Sequence, residues 1–209
     1  MKKFISVGDN CKVRYQIDKY GFAKLPDYKK NSFFFDWLMW GGLNGFYYFV
    51  ENDFKLKFEH FNIVENKGKF APSHIFSNHV FLHDFGVSGW VNDRKSAESN
   101  FLKNCDDTIN KYEYLAEKTQ LAFKNERDLY LVFYGVVDIE EFNRLVILYE
   151  SKYGRKLELV NILEIAQKEK EQEHPNIITR YVDDSISFKS GTSQEWQGDD
   201  EQWYSALNF

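Results

Sequence analysis

The sequence predicts a single α/β domain over residues 1–209, with a mixed α+β arrangement as the alternative, in which a partly parallel central sheet is flanked by helices. Three observations lead to this prediction. A chain of 209 residues is within the range that folds around one core. Hydrophobic residues make up 43% of it against a formal net charge of -5, which is ample apolar material. Residues 128–163 have a strand, helix, strand pattern, and such a βαβ unit implies two parallel strands.

The first half of the chain is predicted to contain short elements separated by turns. Gly21 is a natural stop for the first helix, and an aromatic segment, Phe33–Trp40, ends in a pair of glycines. Pro72 is predicted to separate two strands. The predicted elements are a strand at 4–7, a helix at 11–20, a helix at 43–52, and strands at 54–66 and 75–85.

The second half has the clearest periodicity. Apolar positions at helical spacing among many charges predict a long amphipathic helix over residues 93–125, with at most one break. Asp138 and Gly154 mark the start and the end of the helix inside the βαβ unit. The other predicted elements are strands at 128–134, 156–163 and 177–182, a charged helix or loop at 166–173, and a C-terminal tail at 184–209 that docks onto the domain.

Composition argues against several classes of protein. A sequence pI near 5.6 without a basic stripe argues against a nucleic-acid partner. The apolar runs are too short for a signal peptide or a membrane span, so we expect a bacterial protein of the cytoplasm with no membrane partner. Two cysteines make neither a disulfide framework nor a thiolate zinc site. Because there is also no glycine-rich nucleotide motif, we expect no metal and no cofactor.

Cys11 is the first candidate for chemistry, because it lies where the first strand turns into the first helix. A thiol at a helix N-terminus feels the positive end of the helix dipole, which is expected to lower its pKa toward the thiolate. Backbone N–H groups of Asn10 or Cys11 would then face an oxyanion forming on an attacked carbonyl. The alternative is that Cys11 is a small buried residue that packs the first turn.

A thiol nucleophile needs a base, and His83 is the preferred one of five histidines because it ends an apolar strand. The acid that orients it is left open between Asp36 and Asp84. Neighbours on a strand point to opposite faces, which counts against Asp84. The alternative role for Asp36 is to lock its own loop through backbone hydrogen bonds. A metal site built from His74, His79 and His83 fits no helix face.

The ordered motifs Ser6–Cys11, Phe35-Asp36-Trp37 and His83-Asp84-Phe85 resemble a bacterial family of unknown function that is described as papain-like cysteine peptidases. The resemblance implies a cysteine hydrolase or acyl-transfer scaffold in which Cys11 matches the nucleophile and His83 the base. Papain-like enzymes use a glutamine in the oxyanion hole, and here Asn10 or Asp9 would serve instead. The next helix carries one arginine, Arg94, where that family tends to carry a pair.

Three functions compete at this point. The first is a thiol hydrolase or acyl transferase that acts on a peptide, acyl or glycan substrate in a cleft walled by aromatic residues such as Trp37. The second is a transferase or carbohydrate-binding protein without thiol chemistry, whose pocket would be lined by Trp37, Trp40 or Trp90 with Asp9 and Asp36. The third is a non-catalytic interaction protein with an exposed patch around Trp196 and Trp203.

Overall fold

Two four-stranded sheets form the framework of the protein, in a computed structural model that describes residues 2–20, 32–86, 89–184 and 197–209. The first sheet is parallel and the second antiparallel, with helices on both sides of the first, which confirms the predicted α/β class. In chain order the strands are β1 (Lys3–Ser6), β2 (Leu38–Met39), β3 (Phe61–Asn66), β4 (Lys69–His74), β5 (Val80–Phe81), β6 (Leu129–Tyr134), β7 (Leu159–Glu164) and β8 (Ile177–Val182).

Five α-helices connect these strands in the described part of the chain. They are α1 (Cys11–Tyr20), α2 (Gly42–Glu51), α3 (Arg94–Asn125), α4 (Ile139–Tyr153) and α5 (Asp200–Leu207). Two short 3-10 helices, Phe58–His60 and Ile165–Lys170, precede β3 and follow β7. No helix among the residues described is long and apolar enough to cross a membrane.

The parallel sheet has the strand order β1-β6-β7-β8, and its strands β1, β6 and β7 are largely buried on both faces, whereas the edge strand β8 is half-buried. Neighbouring residues of one strand enter different apolar clusters, as expected for a sheet that helices cover on each side. Phe4 of β1 packs in the cluster that holds Val13 of α1 and Trp203 of α5. Ile5 packs in the cluster that holds Phe123 of α3 and Leu145 of α4. The β1–α1 turn is therefore fixed between two packed layers.

The predicted βαβ unit is present as β6, α4 and β7, with β6 and β7 in parallel register. Asp138 caps α4 by accepting hydrogen bonds from the backbone N–H groups of Glu140 and Glu141, at 2.9 and 3.0 Å. Gly154 follows the helix with a φ of 65°, the left-handed conformation that glycine adopts most easily. The long helix α3 is continuous, and Asp93 caps its start.

The antiparallel sheet, with the order β2-β5-β4-β3, corrects two predicted strands. Within the predicted 54–66 strand only Phe61–Asn66 is extended, and only Val80–Phe81 of the 75–85 strand is. Pro72 does not separate two strands but lies inside β4, opposite Ile63. Phe70 exchanges hydrogen bonds with Val91 on the side away from β3, and Pro72, two residues on, faces the same way. Its missing N–H therefore costs the β3–β4 ladder nothing.

The C-terminal tail contributes α5, which packs beside α1. Trp203 of this helix is fully buried, and its indole nitrogen donates a hydrogen bond to Asp184 at 3.2 Å. The helix stop predicted at Gly21 and the patch residue Trp196 lie outside the described residues.

Candidate active site

The turn between β1 and α1 presents Cys11 at the carboxyl end of the parallel sheet. Gly8 turns the chain with a φ of 82°, and its N–H lies 3.2 Å from the hydroxyl oxygen of Ser6. The side-chain oxygen of Asn10 accepts a hydrogen bond from the N–H of Lys12 at 2.8 Å, which makes Asn10 the N-cap of α1. Cys11 is consequently the first residue of α1, and the Asn10 cap holds its backbone in place.

His83 follows β5 of the antiparallel sheet, and its side chain lies next to Cys11, which follows β1 of the parallel sheet. The distance from Cys11 Sγ to His83 Nε2 is 3.7 Å, a loose contact of the kind found in thiol–imidazole pairs without substrate. His83 lies in the turn after β5 and is exposed to solvent. The N–H of Gly89 donates to the carbonyl of Leu82 at 2.5 Å and closes this turn. The structure therefore brings the two residues together.

Trp37 forms one wall of this pair. Its carbonyl oxygen lies 3.5 Å from Cys11 Sγ, and its indole contacts the His83 ring edge-on with 5.5 Å between ring centroids. Trp37 and Trp40 both have a φ of 71°, which is uncommon for bulky residues. The N–H of Trp40 donates to the carbonyl of Asp9 at 3.1 Å and so ties this segment to the turn before Cys11.

Asp36 is turned away from His83. Its carboxylate pairs with Arg14 of α1 at 2.7 Å and accepts the backbone N–H of Phe33 at 2.7 Å. Burial raises the pKa of Asp36 to about 6, against the opposing effects of Arg14 and of the Phe33 N–H. This arrangement ties the aromatic segment to α1, which is the alternative role considered for Asp36.

Asp84 is also directed away from His83, as expected for a neighbour in sequence. Its buried carboxylate accepts hydrogen bonds from Lys111 Nζ at 2.5 Å and from the Tyr112 hydroxyl at 2.8 Å, both on α3. In the described ranges, neither Asp84 nor Asp36 accepts a hydrogen bond from His83. Asp84 acts on the imidazole only through its charge, which partly opposes the desolvation that lowers the pKa of His83.

The protonation state of Cys11 differs from the sequence prediction. The helix N-terminus was expected to lower the thiol pKa, but burial raises it to about 11. Desolvation also lowers the pKa of His83 below its ordinary value, an effect that Asp84 opposes and Lys111 reinforces. At neutral pH the resting pair is therefore a thiol beside a neutral imidazole, and the imidazole is in the form that accepts a proton.

Asp9 and Asn10 lie beside Cys11, where they were predicted to serve an oxyanion. An oxyanion requires hydrogen-bond donors. The Asn10 oxygen caps α1, which leaves the Nδ2 amide as the group of this side chain that can donate, whereas the Asp9 carboxylate accepts the N–H of Gly42 at the start of α2. Burial raises the pKa of Asp9. Both oxygens thus hold the starts of helices.

Sequence reasoning missed the residues that hold the two aspartates, Arg14 and Tyr112. Arg14 is 2% exposed, between Val13 and Ile17 on the buried part of α1. A cation next to the apolar positions of an amphipathic helix is a signal for a buried ion pair. Tyr112 is on the apolar face of α3, where nothing in the sequence indicates that its hydroxyl meets Asp84.

The aromatic residues of the two competing functions occupy different surroundings. Trp40 and Trp90 lie against each other with 5.1 Å between ring centroids, and 45% of the Trp40 surface is exposed. Trp203 is fully buried, so it adds nothing to a surface patch.

No family model, curated protein or solved structure matches this chain, and its function is therefore inferred from the geometry of the site itself.

Proposed function

We propose that this chain is a cysteine-dependent hydrolase or acyl transferase in which Cys11 is the nucleophile and His83 the general base. The observation that carries the proposal is the 3.7 Å distance between Cys11 Sγ and His83 Nε2 at the carboxyl end of β1. The two residues are 72 positions apart in the chain and come from different sheets. The motif resemblance to papain-like cysteine peptidases supports the same pair of residues.

The reaction follows from the neutral state of the pair. His83 Nε2 takes the thiol proton while Cys11 Sγ forms a bond to the carbonyl carbon of the substrate. The bond to the leaving group breaks, and the leaving group takes the proton from His83. Water, or another acceptor hydroxyl or amine, then attacks the thioester and gives its proton to His83. The carbon–sulfur bond breaks, and the sulfur recovers the proton as the thiol.

The raised thiol pKa favours activated acyl groups over amides. Burial raises the pKa of the Cys11 thiol to about 11 and lowers that of His83, so transfer of the proton from the thiol to the imidazole is uphill in the resting pair. Such a pair holds little preformed thiolate, so a substrate with a good leaving group reacts most readily. We therefore propose thioesters or activated esters as the substrates to test first. The negative charge of Asp84 helps the imidazolium that forms.

The test compares hydrolysis of a phenylacetyl thioester by the native chain and three variants. Cys11→Ser and His83→Gln should each lose at least about a hundredfold in kcat/KM, the usual contribution of a nucleophile or general base. Cys105→Ser, which removes the other buried thiol, is the matched control and should keep its activity. Mass spectrometry should find the acyl group on Cys11. Turnover that persists in Cys11→Ser would exclude the proposed mechanism.

A further inference from the structure

We propose that Trp40 and Trp90 form a subsite that binds an aromatic side chain of the substrate, next to the reacting carbonyl. The inference rests on the proposed function for the identity of the substrate. We call this pair of rings the tryptophan platform. Its centroids are 5.1 Å apart and its ring planes 44° apart, and Trp40 is 45% exposed. An exposed indole beside a partly buried one offers an apolar surface for a planar ring.

The backbone places the platform close to the reactive pair from both sides. The N–H of Trp40 donates to the carbonyl of Asp9 at 3.1 Å, two residues before Cys11. Trp90 follows Gly89, whose N–H binds the carbonyl of Leu82, the residue before His83. These two hydrogen bonds tie the platform to the turns that carry Cys11 and His83, so the platform suits a side chain near the attacked carbonyl.

The backbone of Trp40 is held in a disfavoured conformation that the buried Phe54 and Phe85 also adopt, so it supports a binding role only together with the exposure of the Trp40 indole. Its φ of 71° is disfavoured for a bulky side chain, and residues in such conformations concentrate at binding and catalytic sites. Trp37, the neighbour of His83, has the same φ. Hydrogen bonds to Asp9 and Phe35 hold the segment in place. The protein therefore maintains a disfavoured backbone and, with it, an exposed indole beside its reactive pair.

The surroundings of the platform favour an apolar ring over a sugar. Trp90 and Met39 pack against the buried residues Ala71, Val80 and Leu82, which form a small apolar cluster. A sugar stacked on indoles needs hydrogen-bonding side chains around its edge, whereas a phenyl or indole group needs only the apolar surface that the two rings and this cluster provide. A thioether such as that of Met39 contacts aromatic rings favourably. The chemistry of the platform therefore points to a phenyl or indole group.

Binding is tested in the full chain with Cys11→Ser, so that no turnover is needed. Saturation-transfer NMR would measure the affinity of N-acetyl-phenylalaninamide, with N-acetyl-glycinamide and methyl glucoside as comparison ligands. Trp40→Ala and Trp90→Ala should each weaken binding of the phenyl compound by roughly tenfold. Trp40→Phe should retain most of it. Tyr114→Ala, which removes an exposed aromatic residue on α3, is the control and should bind normally.

Equal binding of the phenyl and glycyl compounds, or a phenyl affinity unchanged in both tryptophan variants, would overturn the platform. Preferential binding of methyl glucoside would overturn it in favour of a carbohydrate site. The proposed function has its own readout in thioester hydrolysis. Platform-dependent binding without Cys11-dependent hydrolysis would leave the subsite standing and reject the enzyme, and the reverse result would reject only the subsite.

Discussion

At the scale of single residues, burial raises the pKa of the Cys11 thiol, whereas the position of Cys11 at the start of α1 would lower it. The start of α1 favours a thiolate, but only 7% of Cys11 is exposed, and the carbonyl oxygen of Trp37 lies 3.5 Å from its sulfur. A carbonyl oxygen favours the protonated thiol, which can donate to it. Burial outweighs the opposing effect of the backbone N–H at the helix start, and His83, being neutral, provides no compensating positive charge.

The raised pKa predicts how alkylation of Cys11 depends on pH. In the Cys105→Ala background, the rate of iodoacetamide alkylation should rise about tenfold for each pH unit from 7 to 9, because the thiolate fraction does so below a pKa of about 11. The rate should show no plateau in this range. Mass spectrometry of the labelled peptide measures it. A plateau below pH 8 would mean that a thiolate–imidazolium pair is already formed.

The same residues show how far the sequence predicts the site. The β1–α1 turn and the ordered motifs were enough to select Cys11 and His83, which the structure places in contact. The direction of the Cys11 pKa shift was wrong, because it depends on burial by the Trp37 segment, which is distant in sequence. The partners of Asp36 and Asp84 were missed for the same reason, since Arg14 and Tyr112 reach them only in the folded chain.

At the scale of elements, the start of α2 is shaped by its contact with His79. The imidazole is fully buried, and its Nδ1 lies 3.1 Å from the Ser77 hydroxyl oxygen. A Cβ atom added at Gly41 would lie 2.1 Å from this ring, and one added at Gly45 would lie 2.3 Å from the carbonyl of Ser77. The two glycines therefore let α2 approach the β4–β5 turn, which leads to His83.

This close approach predicts that Gly45→Ala destabilises the protein. Alanine has the higher helix propensity, by about 1 kcal/mol, but the clash with the Ser77 backbone should dominate. We expect a net loss of about 1 to 3 kcal/mol in the free energy of unfolding, measured by urea denaturation. Asn44→Ala, at an exposed position of the same helix, loses a solvent-exposed hydrogen bond to Glu141 but gains helix propensity, and should change it by less than about 0.5 kcal/mol. Stabilisation by Gly45→Ala would disprove the contact.

Elements of the two sheets differ in how well the sequence predicts them. The strands β6 and β7 are mostly buried apolar runs on either side of the capped helix α4, β8 is half-buried, and all three were predicted close to their observed bounds. The strands β2 and β5 have two residues each, too few for any periodicity. The sequence predicted β5 only as part of a longer strand at 75–85 and missed β2, because the pairing of such short strands is set by partners elsewhere in the chain.

At the scale of the whole molecule, a buried cluster around Asp184 joins both ends of the chain. Asp184 follows β8 and pairs with Lys12 of α1 at 2.5 Å. Its carboxylate also accepts hydrogen bonds from the N–H of Asp199 at 3.1 Å and from the indole of Trp203 at 3.2 Å. The sequence predicted a docking tail from its aromatic residues, but it gave no sign that a lysine beside Cys11 would be the anchor.

The last prediction concerns this anchor and uses a second ion pair between the same parts of the chain as its control. Asp184→Asn removes the carboxylate and leaves the buried ammonium of Lys12 without its partner charge, which should cost about 3 to 5 kcal/mol in the free energy of unfolding. Lys12→Met should cost less, because Asp184 keeps the Asp199 and Trp203 donors. The double variant should cost less than the sum of the two. Urea denaturation measures all three.

Lys19 of α1 and Asp200 of α5 form the matching pair near the surface, where each side chain is 37% exposed. Lys19→Met should cost less than about 1 kcal/mol, because solvent screens an exposed pair and hydrates the charge left behind. Both pairs link α1 to the C-terminal part of the chain, so if only this link mattered, Asp184→Asn and Lys19→Met would lower the free energy of unfolding equally. If Asp184→Asn cost no more than Lys19→Met, the buried charge would not anchor the tail, and apolar packing of Trp203 would have to hold it.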